Sequence, residues 1–331
     1  MKYRKFGNTP LEVSEIGFGA WAIGGTANVG GVEIGWGPTD DEVSKAALTA
    51  AMDAGINFFD TADFYGLGHS EQLIGDLFGN RQDVIIASKV GQKIGEEGKI
   101  AIDYTKAYIK QACEKSLQRL QRDAIDYYQL HVARVHHLEQ GECIEAMEEL
   151  QREGKIRYWG ASLITFAPSP EAEILMQAHK GHGFQLVLNL INQLAVPVME
   201  KAGKEGYGII ARMPLQFGLL SGDIRPTATF STEDHRSYRL TPNIIQTTLD
   251  ILRTEVLPLA KQYNTSLSAF ALSFILGFPE VSTVIPGIRT PRHVALNTQG
   301  LVDISFTDHQ HLCRLFHDRW QPVMQMMQAQ G

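Results

Sequence analysis

Eight short apolar runs, each followed by a segment with helical period, constrain this chain more than any other feature. The runs are IGFGAW (16–21), INFFD (56–60), VIIASK (84–89), YYQLH (127–131), YWGAS (158–162), FQLVLN (184–189), GIIARM (208–213) and TVIPGI (283–288). Continuous rather than alternating apolar character marks strands buried on both faces, as parallel strands are when helices cover them. Segment 105–120 shows the intervening pattern: Ile109, Ala112, Cys113, Ser116, Leu117 and Leu120 share one helical face, with Lys106, Lys110, Glu114 and Gln118 outside it. Further helices are predicted at 70–78, 140–153, 170–180, 198–205, 243–263 and 267–277. Thr39 with Glu42 reads as a capping box that opens the first helix, and Gly55 lies just past its end. Strand then helix, repeated eight times, predicts an α/β fold of the (β/α)8 TIM-barrel type.

The 331 residues exceed the roughly 250 that such a barrel uses. No Ser- or Pro-rich linker divides them, so a single domain over 1–331 is expected. Residues 2–14 read as an N-terminal hairpin turning at Gly7 and Asn8 and closing the barrel bottom. TPRHVALN (290–297) reads as a short extra helix after the eighth strand, and 307–327 as a C-terminal helix.

Charge narrows the partners. Thirty basic against 37 acidic side chains give a net of −7, with no run of like charge, so nucleic acid is not an expected partner. No stretch of about 18 apolar residues is present to span a bilayer, and MKYRKFGNTP lacks a signal-peptide core; the expectation is a cytoplasmic protein with no membrane partner. Cys113, Cys143 and Cys313 have neither CxxC spacing nor a disulfide pattern.

In a barrel of this type the reacting groups gather where the strands end, because the βα loops surround that mouth. The second, third and fourth runs end in Asp60, Lys89 and His131, and Tyr65 follows Asp60 by five residues. Any one of these has a dull explanation as a helix cap, but an Asp, a Lys and a His at three consecutive strand ends do not. A phenol with an ordinary pKa near 10 exchanges protons poorly at neutral pH, and a nearby ammonium is expected to lower that value. Lys89 would do so, held by Asp60, while His131 donates a second hydrogen bond to a substrate oxygen. The result is a proton donor beside an oxyanion site, as carbonyl reduction requires. A hydride would then come from a reduced nicotinamide. GFGAWAIGG (17–25) lacks the third glycine of GxGxxG and no helix opens after it, so a doubly wound nucleotide domain is disfavoured.

These residues carry a resemblance. GINFFDTADFYGLGHSEQLIG (55–75), SKVG (88–91) and DYYQLH (126–131) resemble the signatures of the aldo-keto reductases, and the likeness runs over nearly the whole chain. It implies a (β/α)8 oxidoreductase without a metal that uses NADPH/NADP+, with NADH as the alternative nucleotide, on a small-molecule carbonyl. Asp60, Tyr65, Lys89 and His131 would be its catalytic residues, in a monomer or homo-oligomer. By position, Gly19, Trp21 and Arg212 would meet the cofactor, and Ser162 and Gln185 its carboxamide. Pro214, Leu215, Gly218, Leu220 and Ser221 would wrap the pyrophosphate, and Gly287, Arg289, His293 and Asn297 the adenine end, with Arg289 on the 2′-phosphate. The chain departs from the family at Leu163, where Asn is usual, at Arg212, where many members have an aromatic ring, at His293 and Leu296, and at Val132-Ala133-Arg134.

Trp21, Trp36 and Phe64, with Tyr65, would either line an apolar substrate pocket or simply pack loops. The glycine-rich segment 27–39 reads equally as a lid or as a surface loop. A competing reading, a metal hydrolase using Asp60, Asp63, His69 and His131, lacks a His pair on the first strand. His136 and His137 read as a solvated loop, and His179 and His182 as flanking a helix C-terminus. The resemblance leaves one further alternative, a cofactor-binding accessory subunit of a potassium channel, or a sensor, with slow turnover.

Overall fold

The computed structural model describes residues 1–35, 37–231, 234 and 236–330. Eight parallel strands follow one another around a sheet: β1 (Phe18–Gly19), β2 (Phe58–Asp60), β3 (Ile85–Val90), β4 (Ile125–His131), β5 (Ile156–Ser162), β6 (Gly183–Val187), β7 (Gly208–Arg212) and β8 (Val281–Ile285). Isolated parallel bridges from Ile16 to Val284 and from Gly19 to Gly287 join the edges and close the barrel. All eight strands fall on the apolar runs, and β2, β6 and β8 are buried throughout, as doubly covered parallel strands must be.

The larger hydrophobic core lies between this sheet and the helices around it. A second cluster fills the barrel interior with Phe6, Leu11, Val13, Phe58, Ala87, Tyr127, Ile210 and Ile285. Its plug is the N-terminal hairpin, Tyr3–Lys5 paired with Glu12–Ser14. The Phe6 ring meets Tyr127 edge-on at 4.8 Å. It rests on Gly183 and Gly208, where a Cβ would lie 2.8 and 2.7 Å from the ring, so those two strands can approach only without side chains.

The segment after β1, read over 27–39 equally as a lid or as a surface loop, contains a β-hairpin, Ala27–Val29 with Val32–Ile34. A second hairpin, Gln92–Ile94 with Ile100–Ile102, follows β3. The tips touch: a Cβ on Gly30 would lie 3.0 Å from both the Gly98 oxygen and the Lys99 Cα. Trp36, a candidate pocket residue, lies outside the described residues.

Three helical expectations need correction. The first helix, Asp41–Asp53, is capped by Asp40, whose carboxylate accepts from the Glu42 and Val43 N–H groups, so Thr39 is not the cap. His136 and His137 belong to a short helix, Val135–Gln140, rather than to a loop, and His137 Nδ1 accepts from the Arg134 N–H at its start. The long helices expected at 243–263 and 307–327 each contain a π turn, Leu252–Val256 and Phe316–Trp320. Each π turn stops just before Leu257-Pro258 or Gln321-Pro322; the proline ring removes an N–H and crowds the carbonyl four residues back, so the ladder widens there. Among the described residues no helix is long and apolar enough to cross a membrane.

Because Phe6 fills the barrel floor, Phe6→Ala should cost about 3–5 kcal/mol of stability through the cavity it leaves. A thermal melt that moved by less than a degree would show that the plug contributes little.

Candidate active site

Asp60, Lys89 and His131 sit at the C-terminal ends of β2, β3 and β4. Strand register sets their levels: Lys89 is level with Gln129, and His131, Ser162 and Gln185 form one row across β4, β5 and β6. Tyr65 is held differently. It opens a tight turn in which Gly66, Leu67 and Gly68 all have positive φ, at 58°, 53° and 100°. A Cβ on Gly66 would lie 2.0 Å from the Gly24 carbonyl oxygen, so the turn fits against the chain after β1 only as glycine. Thr61 Oγ1 donates to Ser70 Oγ (2.9 Å), which donates to the Ala20 carbonyl (3.1 Å), tying both ends of the turn to that chain.

The four side chains converge around one ammonium. Lys89 Nζ donates to Asp60 Oδ2 (2.6 Å), the Thr61 carbonyl (2.9 Å) and Tyr65 Oη (3.0 Å). Lys89 is 0% and Asp60 2% exposed. A buried ion pair is tolerated only when its remaining hydrogen-bonding capacity is filled, and two amides do this. Gln185 Nε2 (2.7 Å) and Gln129 Nε2 (3.2 Å) both donate to Asp60 Oδ1.

Burial pushes the Tyr65 phenol above its usual value and outweighs the Lys89 ammonium, opposite to the lowering expected from the sequence. For Lys89, burial works against the charge, but the Asp60 carboxylate and Tyr65 oxygen more than offset it and the net shift is upward. His131 is driven well below the ordinary imidazole range by burial, then by the Lys89 and Arg212 charges, and is neutral at neutral pH. Among the described residues its Nδ1 is sealed without a partner, which leaves Nε2 as the nitrogen open to the mouth. The Tyr65 ring stands nearly perpendicular to Trp21 at 4.8 Å and to His131 at 6.0 Å.

These groups border a cleft of about 780 Å³. On the β1–β4 side its wall is Trp21, Asp60, Phe64, Tyr65 and His131, joined by Gln92 and Ile100 of the second hairpin. Gly19 and Gly287 lie on the wall at the barrel seam, and Gln185, Arg212, Pro214, Leu215, Gly218 and Ser221 continue it. On the β7–β8 side it ends among Arg236, Arg239, Ser266, Ser268, Arg292, His293 and Asn297. Lys89, Ser162 and Leu220 are buried and off this wall. Arg289 is also off it: its guanidinium donates to the Pro38 carbonyl, and Arg292, three residues on, faces the cleft instead. Arg212 Nη2 is held by the Leu163 carbonyl (3.0 Å) and Thr165 Oγ1 (3.3 Å).

Sequence reasoning missed Gln129, Gln92, Arg236, Arg239, Arg292 and the Ser266/Ser268 pair. Gln129 carried a signal, a polar residue inside a doubly buried run, whereas the arginines are ordinary loop and helix cations until the fold brings them together. The side chains of the metal-hydrolase reading do not assemble. His69 turns to the Gly24 carbonyl (3.1 Å) and Asp41 (3.2 Å), and among the described residues no cluster of three or more His, Cys, Asp or Glu could hold a metal.

Residues 15–312 match the model of the aldo/keto reductase family. The chain is 30% identical over 312 residues to an uncharacterized oxidoreductase, YqkF, of Bacillus subtilis, covering 91% of each chain. It is also 26% identical over 323 residues to a probable voltage-gated potassium channel subunit beta of Oryza sativa, again covering 91% of each. Among solved structures, the holo form of the aldo-keto reductase AKR11C1 from Bacillus halodurans superposes with a TM-score of 0.76 at 30% identity, over 95% of this chain and 96% of that one.

The neutral His131 has a cost in acid. Its folded-state pKa is depressed, so the unfolded chain, titrating near 6.5, takes up the proton first. The stability gained by keeping the ring neutral is complete above that value and is lost as pH falls below it. Between about pH 7 and pH 5 the loss should reach up to about 2 kcal/mol. His131→Asn should remove that part of the acid destabilisation in denaturant titrations; an identical acid loss in both proteins would refute the assignment.

Proposed function

The chain belongs to the aldo/keto reductase family of oxidoreductases, and from that premise we propose that it reduces an aldehyde or ketone to an alcohol with NADPH, Tyr65 supplying the proton. The observation that carries this reading is the single buried ammonium of Lys89, which touches both Asp60 and Tyr65 beside a neutral His131 at the cleft.

The cleft suits a dinucleotide. Its β7–β8 side gathers Arg239 and Arg292 with two serine hydroxyls, a set suited to phosphate oxygens, beside Arg236, whose Nε and Nη2 donate to Asp234. Arg292 takes the place expected of Arg289 as the candidate for a 2′-phosphate, with Asn297 and His293 beside it. Pro214, Leu215, Gly218 and Ser221 are the candidates for the pyrophosphate, and Leu220 and Ser162 would support that wall from behind. Gln185 commits its amide N–H to Asp60 and keeps Oε1 to accept from a carboxamide. When bound, a reduced nicotinamide supplies the hydride that no side chain can.

The protein's part is to hold the carbonyl oxygen and deliver a proton to it. Tyr65 Oη and His131 Nε2–H provide two donors where negative charge builds as the carbon is reduced. The raised pKa of Tyr65 means that it holds its proton at neutral pH until that charge develops. Lys89 then stabilises the phenolate, and Asp60 keeps Lys89 charged and aimed. Trp21, Phe64 and Ile100 give the substrate an apolar surround, with the two hairpins meeting beside it. NADH remains the alternative nucleotide, and its affinity is measured in the same experiment.

Tyr65→Phe should lower kcat about 10²- to 10⁴-fold, the usual worth of a general acid. NADPH binding, read by protein fluorescence, should change less than about twofold, because the phenol is asked only to supply a proton. Tyr65→Phe with parental turnover on a panel of aldehydes would reject the donor, and a parent that binds neither NADPH nor NADH would reject the reductase reading.

A further inference from the structure

We propose that Gln129 is a positioning residue for this reaction, an amide that fixes the Asp60 carboxylate and, through it, Lys89 and Tyr65. The inference rests on the reading that Asp60, Lys89 and Tyr65 carry out the proton chemistry. Gln129 lies in the middle of β4, 0% exposed, level with Lys89 on β3 and Gly160 on β5. A polar side chain inside a barrel loses its water contacts and needs a partner to justify its place. Its one side-chain hydrogen bond in the described structure is the donation from Nε2 to Asp60 Oδ1 at 3.2 Å, while Oε1 is buried with no partner.

That asymmetry fixes which way round the amide sits. A carboxylate oxygen can only accept, so the NH₂ end must face Asp60; reversed, two acceptors would oppose each other in a dry site. Among the described residues nothing else holds the side chain by a hydrogen bond, so the bond to Asp60 is its role rather than a by-product of another anchor.

The two amides on Oδ1 are not equivalent. Gln185 is on the cleft wall, where a nucleotide would meet it, whereas Gln129 is not. Gln129 is therefore the donor to Oδ1 whose surroundings stay the same when the cleft fills. It touches neither substrate nor nucleotide and acts only through Oδ1, fixing the rotation of the carboxylate and so the opposite edge, Oδ2, that Lys89 uses at 2.6 Å. If that edge turns, Lys89 loses its aim on Tyr65 Oη.

The test uses two substitutions of similar length. Gln129→Met removes the donor, and kcat should fall about tenfold, the worth of one hydrogen bond to a charged group. The affinity for NADPH by fluorescence titration and the KM for the aldehyde should stay within about twofold, since neither ligand meets this side chain. Gln129→Glu puts a carboxylic acid in the same place: protonated, it donates to Asp60 as the amide did, and ionised it repels Asp60. The charged and titratable groups around this position are Asp60 on β2, Lys89 on β3, Tyr127 and His131 on β4, Arg212 on β7, and Tyr65. Burial raises both tyrosines and the net shift of Lys89 is upward, so these three keep their protons at and below neutral pH, while burial holds His131 well below the ordinary imidazole range. The Gln129→Glu enzyme should therefore regain kcat as pH falls, an acid-side recovery that the parent lacks.

Parental kcat and pH profile in Gln129→Met would overturn the proposal. So would a Gln129→Glu profile with no recovery in acid. If Gln129→Met fails to fold, seen as loss of NADPH quenching, the Gln129→Glu profile decides alone. Should Tyr65→Phe abolish turnover while both Gln129 variants behave as the parent, this inference fails and the reductase reading stands. Parental turnover in Tyr65→Phe rejects that reading and this inference with it.

Discussion

Everything at the barrel mouth depends on keeping one ammonium charged where water does not reach. Taking Lys89 and Asp60 out of solvent costs several kcal/mol per ion, and their mutual attraction offsets this only if every other hydrogen-bonding position is filled. The protein fills them: Lys89 spends its three N–H bonds on Asp60, the Thr61 carbonyl and Tyr65, and Asp60 takes two amides on its other oxygen. Three adjacent strands supply the pair and one amide, and β6, from across the barrel, supplies the other. Only a closed barrel brings those strands to one axis, so the site is a consequence of the closure.

The barrel separates stability from chemistry along its axis. Phe6 seals the floor against Tyr127, and two residues further along the same strand Gln129 reaches Asp60. Alternation along β4 thus directs Tyr127, Gln129 and His131 inward at rising height, from floor packing to carboxylate support to the open mouth. The glycines at 183 and 208 make room for the plug, while Gly66 lets the Tyr65 turn approach the chain after β1.

Much of this was legible in the sequence, for identifiable reasons. Strands buried on both faces must be apolar throughout, so all eight announced themselves, and the polar residues that ended them stood out as Asp60, Lys89 and His131. What escaped notice lacked such a signature. The hairpins at 27–34 and 92–102 are short, and the second exposes Ile94, Ile100 and Ile102, so no burial pattern revealed it. Thr39 and Asp40 are adjacent acceptors, and only geometry chose the carboxylate. The direction of the Tyr65 shift needed the depth of its burial, because proximity to Lys89 alone argued the other way. Arg289 and Arg292 lie almost one helical turn apart, and their separate directions, one to Pro38 and one to the cleft, could be read only from the fold.

The central claim is that the Lys89 ammonium governs proton delivery by Tyr65, and the most direct measurement is single-turnover reduction by Lys89→Met at saturating NADPH. The chemical step should slow about 10²- to 10⁴-fold in Lys89→Met with nucleotide affinity retained. A parental single-turnover rate in Lys89→Met would contradict it, since the phenol would then be shown to work without the charge beside it.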